Sequence, residues 1–235
     1  MLQSSNLMGA ETILGNKEVH TKETGWKYLL LSLSAFLAIC LELIHAYGWE
    51  PLVFGSELTT WQIILHWIIT CLTWGAAAYL LIRIAKNKLG FDLFAKTKKM
   101  KLWQTFVVLL GIIISCASSY FAWGGFKVLL EFKNNGLLLF IFQYLYYIVE
   151  TLLFLLIIIF AQKAFEIWTK KRNVPWGGII CGLTWGIVHI ISRGSFDIQL
   201  GIFATVSGFL FGAAYLFTNR NFKLSWLILF LMFVL

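Results

Sequence analysis

Seven apolar runs constrain this chain more than any other feature. They lie at about 26–47, 61–84, 102–123, 137–162 (to 168 if the run is followed through Lys163), 175–191, 198–217 and 222–235, bounded by charge clusters or by Gly and Asn. A helix needs about 20 consecutive apolar residues to cross a bilayer, whereas strands of a membrane barrel alternate polar and apolar over segments of about 10. The runs therefore predict an all-α, polytopic helical membrane protein with about seven transmembrane helices. The last run is shorter than the usual ~17–25 residues and reads as a partial span held by its neighbours. With 60% of residues hydrophobic and 13% charged, a soluble domain is excluded.

A formal charge of +8 raises nucleic acid as a partner, but the placement of the 19 Lys and Arg points to a lipid bilayer instead. With the N-terminus inside, the tail to Lys27 and the connections at 83–101, 163–172 and 220–223 hold 16 of them, leaving Lys127, Lys133 and Arg193 on the other side. That asymmetry follows the positive-inside rule and places the N-terminus in the cytoplasm, with the C-terminus outside if all seven runs span. The first 25 residues are polar and lack the apolar core of a cleavable signal, so the first span is expected to stay as an anchor. Cys40, Cys71, Cys116 and Cys181 fall one to a span without paired spacing, which suits packing residues better than disulfides or a zinc cluster. No repeat or linker divides the chain, so 1–235 reads as a single membrane domain with a polar cytoplasmic tail at 1–25.

Gly178, Gly182 and Gly186 recur at four-residue spacing in the fifth run, and Gly201, Thr205, Gly208 and Gly212 repeat the device at spacings of four, three and four on the sixth. Such stripes let two backbones approach closely in lipid, and they predict that these spans pack together with His189 directed into the bundle.

Ionisable groups inside a membrane are costly and face the protein interior, with a partner. The candidates are Glu42, His45, His66, Glu150 and His189. Glu42 and His45 stand three residues apart and are expected to meet on one face of the first span. His66, between Trp61 and Trp67, reads as interfacial. Glu150 is accompanied by a polar stripe of Gln143, Tyr146 and Tyr147 on roughly the same helical face. Two readings of it stand: a neutral carboxyl hydrogen-bonded to tyrosines, or a general base completed by a histidine such as His189. The pair reaches a common depth if the tyrosines of "QYLYY" mark the outer interface and the helix runs on to about Trp168 with Lys163 snorkelling.

The familiar intramembrane proteases are not written here. There is no HExxH, no GxSG serine, and Asp92 and Asp197 both lie in connections. Ser115, Ser118 and Ser119 are expected to be packing residues. A glutamate with a histidine on a separate span remains.

"ETLLFLL", from Glu150 to Leu156, resembles the EExxFRG motif of the CAAX-protease and bacteriocin-processing family (CPBP, or Abi) of intramembrane endopeptidases. Glu150 takes the first glutamate and Phe154 the phenylalanine, while Thr151, Leu155 and Leu156 replace the second glutamate, the arginine and the glycine. "WGIVH" is similar to the second motif, FxxxH, with Trp185 and His189. "GFLFGAAYLFTN" resembles the Gly-rich span and its turn asparagine, Asn219. The resemblance covers about 144–235. It implies a CPBP-type core, a bacterial plasma membrane and a hydrophobic peptide or membrane-protein substrate. It also implies water activation by Glu150 and His189, with or without a divalent metal such as zinc held by those two residues. The third motif, HxxxN or HxxxD, binds the oxyanion in the family, but here Leu229 and Phe233 occupy its expected place.

Three functions follow as expectations. The first is an intramembrane endopeptidase, the second a non-catalytic peptide-binding or bacteriocin-immunity protein on the same fold, and the third a small transporter using Glu150 as a proton relay.

Overall fold

The computed structural model describes residues 2–55, 57–191 and 198–235, with side chains within 23–55, 57–190 and 198–235. Arg193, Asp197 and most side chains of the N-terminal tail, all invoked above, lie outside the described residues. Among those described, every regular element is helical. Helix α1 (Leu2–Ile44) leads through a π-helical turn (His45–Trp49) into the short α2 (Glu50–Phe54). Then come α3 (Thr60–Leu89), α4 (Leu102–Trp123), α5 (Lys127–Thr169), α6 (Trp176–Ile191), α7 (Ile198–Phe217) and α8 (Phe222–Val234).

Local chemistry fixes several of these ends. The backbone N–H of Thr59 donates to Gln62 Oε1 at 2.8 Å and that of Lys101 to Gln104 Oε1 at 2.8 Å, starting α3 and α4. Both helices stop at a glycine in the left-handed region, Gly90 (φ 62°) and Gly124 (φ 70°), a conformation that other residues adopt at a cost. Asn221 caps α8 by accepting from the Leu224 N–H at 3.0 Å.

Five helices are long and apolar enough to cross a membrane: Glu23–Phe54, Thr60–Leu89, Leu102–Trp123, Lys127–Thr169 and Ile198–Phe217. The other two expected spans are apolar helices of 16 and 13 residues, α6 and α8, shorter than the five.

The core is built around α5. Leu153, Phe154, Leu155, Leu156, Ile158, Phe160 and Ala161 have no exposed surface. A helix apolar on all sides must be surrounded, and α1, α3, α6 and α8 pack about this one. By contrast α4 lies at the edge and presents Phe106, Ile113 and Phe121 outward. Large apolar surface left outside a filled core suits lipid as its neighbour.

The stripes of small residues meet as expected. A Cβ added at Gly208 would fall 2.5 Å from the Gly182 backbone, and one at Gly178 2.8 Å from the Phe209 carbonyl oxygen. Those positions admit hydrogen alone, so α6 and α7 touch backbone to backbone.

Helix α5 is not continuous. Gly136 (φ 66°, ψ 175°) breaks it, and the preceding turns, headed by Lys127, fold back along the segment that follows. Asn135 Nδ2 donates to Gln143 Oε1 at 2.6 Å and Tyr144 Oη to Glu131 Oε2 at 3.0 Å, closing a helical hairpin.

Candidate functional site

The polar stripe of α5 opens onto a cavity of about 410 Å³. Gln143, Tyr146, Tyr147 and Glu150 all line it, consistent with their positions seven, four and three residues apart on one helical face. His189 and Trp185 of α6 line it as well, so the two residues singled out from the sequence share one chamber.

Their common depth has a simple origin. The Phe154 and Trp185 rings pack with centroids 4.7 Å apart, and α5 and α6 are joined by a short connection that reverses the chain. Glu150 precedes Phe154 by four residues and His189 follows Trp185 by four. On antiparallel helices both steps run the same way, about 6 Å from the ring contact at 1.5 Å per residue. Phe211 and Phe233 complete the aromatic layer beneath, at 5.8 and 5.9 Å from Trp185.

His189 Nδ1 lies 3.1 Å from the Trp185 carbonyl oxygen. A carbonyl only accepts, so Nδ1 is the donor in this bond. Glu150 is half-buried.

Two participants were not anticipated. Lys127, counted above as an outer-side charge, is 7% exposed and Glu131 4%. They form an i, i+4 ion pair at 4.0 Å. Glu131 also accepts from Tyr147 Oη at 2.7 Å and Gln143 Nε2 at 3.3 Å. Lys127 Nζ donates to the Phe233 carbonyl at 3.0 Å and stands over the Tyr147 and Phe233 rings at 4.6 and 4.4 Å. The signal was present as a four-residue Lys/Glu spacing followed by Asn134–Asn135–Gly136, a turn sequence that folds the pair inward. Ser115, Ser118 and Ser119 line the cavity too.

The tyrosines of "QYLYY" turn to partners inside the bundle. Tyr146 is 8% exposed and packs on Trp74 at 4.8 Å, while Tyr147 points to Glu131. The expected Glu42–His45 pair is replaced by a different one. His66 Nδ1 lies 2.7 Å from Glu50 Oε1 and its Nε2 3.6 Å from Glu42 Oε1, so this histidine joins two carboxylates. His45 instead accepts from Trp49 Nε1 at 2.9 Å and lies 3.4 Å from the Thr73 hydroxyl. The π-helical turn swings Glu50 back toward α3, a rearrangement that regular helical spacing does not encode.

At the positions resembling the third family motif, Leu229 is fully buried and Phe233 lines the cavity. Neither side chain donates a hydrogen bond. Asn219 does not line this chamber; its Nδ2 donates to the Lys98 and Lys99 carbonyls.

A catalytic zinc takes three protein ligands and an open position. Among the described residues no three His, Cys, Asp or Glu side chains converge for a metal ion, and Glu150 with His189 supplies only two. The donor set does not fit zinc, and no step below passes through one.

No family model, curated protein or solved structure matches this chain.

Proposed function

We propose that the chain is an intramembrane endopeptidase of CPBP type, with a single domain of seven spans in a bacterial plasma membrane and the N-terminus cytoplasmic. One observation carries the reading: Glu150 and His189, placed on different helices by unrelated stretches of sequence, line the same cavity. The 16-residue α6 and 13-residue α8 are the short spans of this arrangement, supported by α5 and α7.

In this reading a hydrophobic peptide segment enters the cavity with its scissile carbonyl beside a water. Glu150 takes a proton from that water, and the His189 imidazole hydrogen-bonds the same water and fixes its direction. The oxygen bonds to the carbonyl carbon and the carbonyl becomes an oxyanion. Lys127 is the cation lining the cavity and stabilises that charge, in place of the donors that Leu229 and Phe233 lack. The C–N bond then breaks, and the leaving amine takes the proton held by Glu150.

A second reading has one observation in its favour. Apolar side chains at Leu229 and Phe233 suit a protein that binds a membrane-active peptide without cutting it.

One experiment separates the two. The protein is reconstituted in liposomes with a library of hydrophobic peptides, and cleavage and retention are measured together by mass spectrometry. The endopeptidase reading requires new peptide termini that disappear in Glu150→Gln and His189→Ala while peptide retention survives. Retention without new termini in the unmodified protein supports the binding reading, and cleavage that persists in both variants removes the site assignment.

A further inference from the structure

We infer that a second cavity, of about 640 Å³ at the lysine-rich end of the bundle, binds a phosphate-ester anion. Lys96 and Lys98 of the 90–101 connection, Lys163 of α5, Arg172 of the α5–α6 connection and Arg220 beyond α7 line it. Its two acidic residues are already engaged. Glu166 pairs with Arg220 and accepts from Gln162 Nε2 at 2.8 Å, and Asp92 pairs with Lys86 at 3.1 Å. Among the described residues, Lys96, Lys98, Lys163 and Arg172 have no carboxylate partner. Four uncompensated cations around one concavity repel one another, and a multiply charged anion relieves that repulsion.

A further observation points to a ligand rather than a solvated basic surface: the roof of the cavity is held in place. Asn219 Nδ2 donates to the Lys98 and Lys99 carbonyls at 3.2 and 3.0 Å, Asn221 Nδ2 to Thr97 Oγ1 at 3.3 Å, and Phe94 packs edge-on to Phe222 at 4.7 Å. These tethers position the lysine backbones before any ligand enters, which lowers the ordering cost of binding. Lys163 is likewise set, with Nζ 5.5 Å above the Phe91 ring.

The oxygens of a phosphate ester match such a spread of donors better than a single carboxylate does, and Arg is suited to them. A phospholipid headgroup and a soluble phosphate ester share that chemistry. The test uses the full chain in phosphatidylcholine nanodiscs, with phosphatidylglycerol titrated into the membrane in one arm and glycerol 3-phosphate into solution in the other. Retained ligand is counted by native mass spectrometry and the thermal midpoint is followed in parallel. We expect saturable binding of at least one probe. Lys163→Gln and Arg172→Gln should each weaken it about fivefold, the factor for ~1 kcal/mol per cation near a charged surface. Lys88→Gln, exposed on α3 outside the cavity, should leave it unchanged. Should Lys163→Gln fail to assemble, Lys98→Gln serves instead, since that side chain is exposed. Response in the lipid arm alone assigns a headgroup, and response in the soluble arm alone assigns a free phosphate ester. If neither probe binds, or Lys88→Gln weakens binding as much as the cavity variants, the proposal is overturned.

Discussion

Lys127 donates from Nζ to the main-chain carbonyl of Phe233, 3.0 Å away and 106 residues later, and so joins the hairpin that opens α5 to the last turns of α8. The same ammonium faces Glu131 at 4.0 Å. Removing one member of a buried pair strands the other, at about 3–5 kcal/mol, whereas removing both together costs much less. Lys127→Met and Glu131→Gln should therefore each destabilise strongly, with the double variant well short of their sum. Reversible unfolding in mixed micelles, arranged as a double-mutant cycle, measures this. Strict additivity would show that the two groups are not coupled.

His66 offers a parallel case in α3. Glu50 is 2% exposed and has the imidazole 2.7 Å away, while the Glu42 side chain is 30% exposed and stands farther off. His66→Ala should cost about 3–5 kcal/mol because it leaves the Glu50 carboxylate buried without its partner. Glu42→Gln should cost about 1 kcal/mol or less, in keeping with a partly solvated pair. The same micelle unfolding assay ranks them, and equal losses would contradict the assignment of Glu50 as the principal partner.

Where α6 meets α7, side-chain volume has nowhere to go. Gly208→Leu should destabilise by at least the ~1–3 kcal/mol typical of overpacking, because the obstructing atoms belong to the Gly182 backbone. Gly75→Leu on α3, where an added Cβ meets nothing within 4 Å, should be tolerated. Thermal midpoints of the two variants in detergent decide the point, and a neutral Gly208→Leu would rule out the close backbone contact.

Asp92 provides the pH-dependent prediction. The Phe94 N–H donates to its Oδ1 at 2.9 Å and Lys86 pairs with Oδ2, which together hold its carboxyl below the usual carboxylate range. A depressed folded-state value means that the contribution of Asp92 to stability is present above the ordinary carboxylate pKa and is lost as pH falls through the lower folded one. Carboxyl carbon shifts followed from pH 7 downward should place the Asp92 midpoint below that of an unstructured aspartate, and Lys86→Gln should move it up.

Much of the helical frame was legible because hydropathy and the cost of bare backbone in lipid leave little choice. The boundaries near 61–84, 102–123 and 198–217 correspond closely to α3, α4 and α7. The meeting of Gly182 and Gly208 was legible for the same reason, since small residues at fixed spacing have one use between helices. Electrostatic partners were not. The Lys127–Glu131 pair was hidden because the fold-back at Gly136 depends on a single backbone conformation, and the His66–Glu50 pair because the π-helical turn that delivers Glu50 has no regular period. The shared cavity of Glu150 and His189 required both the residue pattern and the three-dimensional reversal between α5 and α6.

The glycine seam between α6 and α7 also has a thermal consequence. Glycine has no rotamers to freeze, so joining these helices through Gly178, Gly182, Gly208 and Gly212 loses no side-chain entropy at those positions. The attraction is dispersion between main-chain atoms already at contact, and it varies little as side chains elsewhere loosen on warming. His189 rides on the helix held by that seam, so its separation from α7 should expand less with temperature than the distances set by leucine and phenylalanine around α5.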